Sequence, residues 1–233
     1  MPDVPVFRPT SHGFSFRNAW PPQPALTLDT PLGRIPIGDA SGGLCGGMVF
    51  AALDYFYAGV PTPADMPAAG APLYKFIVSR LMTSWDLPRG PLKYYDWMRG
   101  PDEDSRRAML GLRFGRTRGL AWRTIVDELP RVRARLDRGD PACLGVVMAH
   151  SANPVDLGHN HQVVAWGYEL DGDRITIKVY DPNRGRRDDI WISFGIGTPS
   201  RATVFEHNLG TKAGLQLRGL FHVAYEAIAP PVG

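Results

Sequence analysis

Residues 161–183 read HQVVAWGYELDGDRITIKVYDPN, and this stretch decides the fold class. Two runs of β-branched and aromatic residues flank Asp171-Gly172-Asp173, a hairpin signal, so the segment predicts two antiparallel strands. Outward from it, ACLGVVMA (142–149), DIWISFG (189–195) and GLFHVAYEAI (219–228) have the same character, each bounded by Gly, Asp, Asn or Pro. Upstream the pattern turns helical. MVFAALDYFYAG (48–59) is free of helix breakers and apolar nearly all round, which predicts a buried helix ended by Gly59, Pro61 and Pro63. Residues 72–99 are helical with an interruption at DLPRGP (86–91). Between 119 and 138, Trp122, Ile125, Val126, Leu129, Val132 and Leu136 recur at three- and four-residue spacing, with Pro130 placed to kink or split the helix. Helices first and an antiparallel sheet afterwards is α+β segregation rather than βαβ alternation. Residues 1–40 read as an extended Pro/Gly-rich arm, and 41–233 as a single structural unit.

The chain has 233 residues, 44% hydrophobic and 21% charged, which is globular usage. Its 26 basic and 23 acidic residues leave +3. The arginines of RVRARLDR (131–138) and RGRRDD (184–189) are scattered or answered by acids, so they predict solvated faces and no nucleic-acid partner. The N-terminal stretch is broken by prolines and has no apolar run of signal-peptide length, and no run anywhere approaches a bilayer span, so no membrane partner is expected. Two cysteines suit a reducing compartment better than a disulfide framework, and a cytoplasmic location is the expectation. The oligomeric state stays open.

Three residues from distant parts of the chain carry chemistry. Cys45, in GGLCGGMVF (42–50), falls at the start of the buried helix, where unpaired N–H groups and the helix dipole favour a thiolate. Gly42, Gly43, Gly46 and Gly47 would leave the sulfur approachable. His161 opens a strand on the face shared by Val163 and Ala165, and that strand reads as buried on both faces. Asp181 closes the partner strand, where its carboxylate can fix the tautomer of His161. Taken singly, these are a small buried thiol, a satisfied strand-end histidine and a turn aspartate; taken together, they form an order few other arrangements share. His159 has the parity of His161 but lies in the preceding loop, and Asn183 follows in the turn. Both are alternates.

With these residues the chain resembles the papain-like cysteine peptidase superfamily, and more narrowly its C39-like branch. NHQVVAWGY, with glycine six residues after His161, is similar to the histidine strand of that branch, and Asp181-Pro182 to its third member. The resemblance covers the Cys45 helix entry and residues 159–183. It implies a papain-like fold with N-terminal helices packed on a C-terminal antiparallel sheet. It also implies a hydrolase in which Cys45 attacks a peptide, isopeptide or other amide or thioester carbonyl, His161 moves the proton and Asp181 orients His161. No metal or organic cofactor is implied, and the partner would be a peptide or a small acyl or amide substrate. The same triad would serve a transglutaminase-like acyltransferase, and a papain-like binding module without chemistry is a third reading.

One departure favours that third reading. Where the family places Gln before the cysteine, this chain has Asp39, and losing one oxyanion donor costs about 3 kcal/mol of transition-state stabilisation. Ser41 or the Gly42-Gly43 backbone could substitute. Gln162 could not, because strand alternation turns it away from the His161 face. A metal site built from His159, His161 and Asp181, with or without Cys45, lacks a second ligand pair at a familiar spacing. His150 and His207 read as surface or loop residues, and Trp85, Trp97, Trp122, Trp166 and Trp191 as core or cleft lining.

Overall fold

The computed structural model describes residues 6–20, 26–30, 33–37, 44–86, 89–109, 112–211 and 214–231. In chain order, a short helix α1 (Pro9–His12) precedes a hairpin of β1 (Leu26–Thr30) and β2 (Gly33–Ile37). Three helices follow: α2 (Cys45–Ala58), α3 (Pro72–Ser84) and α4 (Arg89–Arg99). A second hairpin, β3 (Ser105–Met109) and β4 (Leu112–Thr117), leads into a helix in three parts. Those parts are α5 (Leu120–Trp122), a π-helical turn (Arg123–Glu128) and α6 (Leu129–Leu136). Then come β5 (Ala142–Val147), a 3₁₀ helix (Pro154–His159), β6 (His161–Asp171), β7 (Arg174–Tyr180), β8 (Trp191–Gly195), β9 (Glu206–His207) and β10 (Gly219–Val223).

The last six strands form one antiparallel sheet in the order β10-β5-β6-β7-β8-β9, so the chain is α+β with its helices ahead of its main sheet. The β6–β7 hairpin turns at Asp171-Gly172-Asp173, with Gly172 at φ 53°, a conformation that favours glycine. Strand alternation divides the apolar residues between two cores. Cys143, Val147, Val164, Tyr180 and Phe221 face α2 and its neighbours, whereas Leu144, Val146, Val163, Val179 and Leu220 face α6. The strand β6 is buried only as far as Ala165; beyond a register shift at Trp166 its end is exposed, so the expectation of burial on both faces along its whole length is corrected.

Pro130 does split its helix. Having no N–H, it cannot continue an α ladder from the turn before it, and it sits in the first turn of α6. The π turn just upstream bonds the Leu129 N–H to the Thr124 carbonyl, five residues back. That turn aims Thr124 and Glu128 at the sheet edge. Thr124 Oγ1 accepts from the Leu220 N–H at 3.1 Å and donates to the Leu220 carbonyl at 3.2 Å, and Glu128 accepts from the His222 N–H at 3.0 Å. The outer edge of β10 is thereby closed to further strands.

The N-terminal segment is more than an arm. Phe7, Phe14 and Trp20 are buried in the α2 core, and Leu26–Thr30 pairs antiparallel with Gly33–Ile37. Only Trp97 of the five tryptophans assigned to core or cleft is fully buried; Trp122 and Trp166 are half-buried under Arg118 and Arg8 guanidinium groups.

Gly46 and Gly47 are packing residues, which corrects their reading as access glycines. A Cβ on Gly47 would collide with the Ile77 carbonyl oxygen of α3, and one on Gly46 with Ser84 Oγ and the Gln162 side chain. Gly47→Ala is therefore expected to destabilise the fold by roughly 1–3 kcal/mol, read by urea denaturation, because the obstacle is backbone that cannot rotate away. A neutral substitution would show that α2 and α3 can separate freely.

Candidate active site

Cys45 is the first residue of α2, 7% exposed. The N–H groups of a helix's first turn have no intrahelical acceptor, and Leu44 at the N-cap supplies no side-chain one. The sulfur thus sits at the positive end of a 14-residue helix. Because α2 packs on β6, its tip meets the start of that strand, where His161 stands.

The start of β6 is held firmly. Tyr94 Oη, from α4, donates to the His161 carbonyl at 3.1 Å, and Val146 of β5 is the register partner of His161. Just before it, Asn160 Oδ1 accepts from the N–H groups of Met148 and Ala149, and its Nδ2 donates to the Leu157 carbonyl. The imidazole therefore has a fixed backbone under it.

His161 Nε2 lies 2.8 Å from Asp181 Oδ1, with His161 5% exposed and Asp181 fully buried. The Cys45 thiol stands near enough to this imidazole to act on its protonation. With Nε2 committed to Asp181, Nδ1 is the ring nitrogen left to exchange a proton with the sulfur. Asp181 is itself well supplied with donors: Oδ1 also accepts from the Asn183 N–H at 2.8 Å, and Oδ2 from the Gly210 N–H at 2.6 Å. Burial alone would raise the Asp181 pKa, but the His161 charge and these hydrogen bonds outweigh it and hold the carboxyl below its ordinary range. Burial alone would lower the His161 pKa. The Asp181 charge, the Asp181 hydrogen bond and the Cys45 thiol reverse that and raise it to about 10. A buried imidazolium–carboxylate pair beside a thiol can supply both a nucleophile and a proton donor in one place.

The structure thus brings Cys45, His161 and Asp181 together, on the tip of a helix, the start of one strand and the residue after the next. The two alternates stand elsewhere. His159 ends the 3₁₀ helix with Nδ1 3.5 Å from Asp156, and Asn183 braces Asp181 through its backbone rather than replacing it at the imidazole. Asp39 and Ser41, expected near the oxyanion, lie outside the described residues, as do Gly42 and Gly43. Gln162 packs against Gly46 on the α2 side, away from the face of Val163. Among the described residues no group of three or more His, Cys, Asp and Glu is disposed to hold a metal ion. Also among them, no helix is long and apolar enough to cross a membrane. Cys143 is buried in β5, and burial pushes its thiol pKa far up. His150 is exposed, as expected, but His207 is not a plain loop residue. It lies half-buried in β9, where burial lowers its pKa and where the charges of Asp181 and His161 reach it.

Sequence reasoning missed Asn18 and Gly210. Asn18 Oδ1 accepts from the Leu44 N–H at 3.1 Å, and its Nδ2 donates to Asn183 Oδ1 at 3.0 Å. A Cβ on Gly210 would fall 2.6 Å from the Asn183 Cβ, so glycine is what lets this backbone reach Asp181. Neither residue has a local sequence signal. Comparison with protein-family models, with curated proteins and with solved structures finds no match to this chain.

Proposed function

We propose that this chain is a papain-like cysteine hydrolase of the C39-like kind, cleaving a peptide, isopeptide, other amide or thioester bond. The observation that carries the reading is the His161 imidazole, bonded through Nε2 to a buried carboxylate at 2.8 Å, with the thiol of a helix tip beside it. Cys45 Sγ, its proton held by His161, attacks the substrate carbonyl carbon, and the developing oxyanion is met by the Cys45 N–H. The tetrahedral adduct collapses with loss of the leaving group, which takes the proton from His161, and a thioester to Cys45 remains. Water, deprotonated by His161, attacks that thioester; the carboxylic acid leaves and the thiol is restored. Asp181 remains ionised throughout and holds the ring in place.

An activated ester tests the reading without knowledge of the natural substrate. Native protein mixed with p-nitrophenyl acetate is expected to release a stoichiometric burst of p-nitrophenol. Mass spectrometry of the quenched protein should then find the acetyl group on Cys45 and none on Cys143. Cys45→Ala should show no burst. A burst that survives this substitution, or an unmodified Cys45, would refute the reading.

A further inference from the structure

Asn18 occupies a singular place around the site. Its backbone N–H donates to the Pro182 carbonyl at 3.0 Å, inside the turn that follows Asp181. Its side chain spans the gap between the two halves of the candidate triad, accepting from the Leu44 N–H on one side and donating to Asn183 Oδ1 on the other. Leu44 is the residue immediately before Cys45. Asn183 in turn donates from Nδ2 to the Gly210 carbonyl at 2.7 Å and from its backbone N–H to Asp181 Oδ1, while the Gly210 N–H holds Asp181 Oδ2.

These bonds form a chain that runs from Leu44 through Asn18, Asn183 and Asp181 to His161, whose imidazole stands beside the Cys45 thiol at the start of the helix that Leu44 caps. Backbone groups fix the sense of each amide. The Leu44 N–H can only donate and the Gly210 carbonyl can only accept, so the oxygen of Asn18 and the nitrogen of Asn183 are assigned without ambiguity. No other side chain among the described residues is seen to bridge the start of α2 and the turn after β7. The segment that carries Asn18 is itself anchored by Phe14 and Trp20, buried on either side of it.

We propose that Asn18 is a positioning residue of this site: by bonding the helix cap before Cys45 and, through Asn183, the turn that carries Asp181, it sets the distance between the thiol and the imidazole. The inference rests on the reading of Cys45 as nucleophile. It adds that the N-terminal segment is a working part of the site. A nucleophile and its base lose rate steeply when their separation drifts by a fraction of an ångström.

The test is the pH dependence of Cys45 alkylation by iodoacetamide in native protein, Asn18→Ala and His161→Ala, each followed by peptide mapping against Cys143. In native protein, labelling at about pH 6 should remain within roughly ten-fold of that at about pH 8.5, the mark of a thiol paired with an imidazolium. Asn18→Ala should lower the rate at about pH 6 by roughly ten-fold or more and leave the rate at about pH 8.5 nearly unchanged. A purely structural role would lower the melting temperature and leave the profile of the folded protein as it was, and that result overturns the proposal. Should Asn18→Ala not fold, Asn18→Asp keeps an acceptor for Leu44 and loses the donor to Asn183. It should slow labelling at about pH 6 by roughly three-fold or more, and an unchanged profile there is equally fatal. The two ideas fail differently. A native profile identical to that of His161→Ala removes the nucleophile reading and the inference with it; a native profile that depends on His161 but not on Asn18 removes the inference alone.

Discussion

Asp181→Asn is expected to slow acylation of Cys45 by roughly 10³–10⁴-fold while the chain still folds. Asp181 receives three donors: His161 Nε2 and the Asn183 N–H on one oxygen, and the Gly210 N–H on the other. An amide has only one oxygen, so its NH₂ must face either Gly210 or the imidazole, and a donor meets a donor in both cases. The imidazole loses its anchor and the charge that favours its protonation. The same variant should change how stability depends on pH. A raised His161 pKa adds stability that is complete below the ordinary imidazole value of about 6.5 and is lost as pH rises through about 10. A lowered Asp181 pKa adds stability that is present above the ordinary carboxyl value of about 4 and is lost as pH falls below it. The native protein should therefore be most resistant to urea between about pH 4 and 6.5 and lose resistance toward pH 10; in Asp181→Asn the alkaline slope should flatten. Acylation within about ten-fold of native would mean that the carboxylate does not orient the imidazole.

Arg80→Ala is expected to cost about 3–5 kcal/mol of stability, more than any exposed substitution on this chain. Arg80 of α3 and Asp54 of α2 are both buried, with Nε 2.6 Å from Oδ2 and Nη2 3.1 Å from Oδ1. The C-terminal segment closes over them. Tyr225 Oη and the Ile228 N–H donate to Asp54, and Arg80 donates to the Glu226 carbonyl at 2.7 Å. Burial already holds the Asp54 pKa above its ordinary value despite these partners. Without the guanidinium the carboxylate is left buried with two donors and no counter-charge, so its pKa should rise further. A carboxyl raised in the folded state favours folding when protonated, so Arg80→Ala should recover stability as pH falls toward about 5. Urea titrations at about pH 5 and pH 8 read both effects. Replacing the pair together, as Asp54→Leu with Arg80→Met, should cost less than the single change, because no charge is then left unpaired. A loss below about 1 kcal/mol in Arg80→Ala would mean that water reaches Asp54 in the native protein.

The parts of this molecule that were legible in its sequence are those with local causes. β5, β6, β7, β8 and β10 announce themselves by β-branched runs between turn residues, α2 by an unbroken apolar stretch, and the split at Pro130 by a missing N–H. Cys45, His161 and Asp181 were legible because each stands at an element boundary, where a side chain can leave its own element and meet another. The rest depends on contacts between distant segments. Nothing around Asn18 distinguishes it from any polar residue of a Pro-rich segment until Leu44 and Asn183 are folded against it. Gly46 and Gly47 look like access glycines until α3 and β6 are in place to show what a Cβ would strike. The β1–β2 hairpin does carry an alternation, Leu26 and Leu28 opposite Ile37 and Ile35, but it is short and lies in a Pro-rich stretch; β3 (SRRAM) has no alternation to mark it. The reach of Asp181 and His161 to His207 likewise follows from the pairing of β9 onto β8, which two residues cannot signal.

The ionisation of His161 tests the central claim most directly. Imidazole ¹⁵N shifts of the native protein, assigned by comparison with His161→Gln, report whether one or both ring nitrogens carry a proton. The account predicts that His161 is doubly protonated at neutral pH and loses its charge only in the alkaline range, near the value of about 10 that its partners impose. A neutral His161 ring at pH 7, titrating as an isolated buried imidazole would, contradicts it.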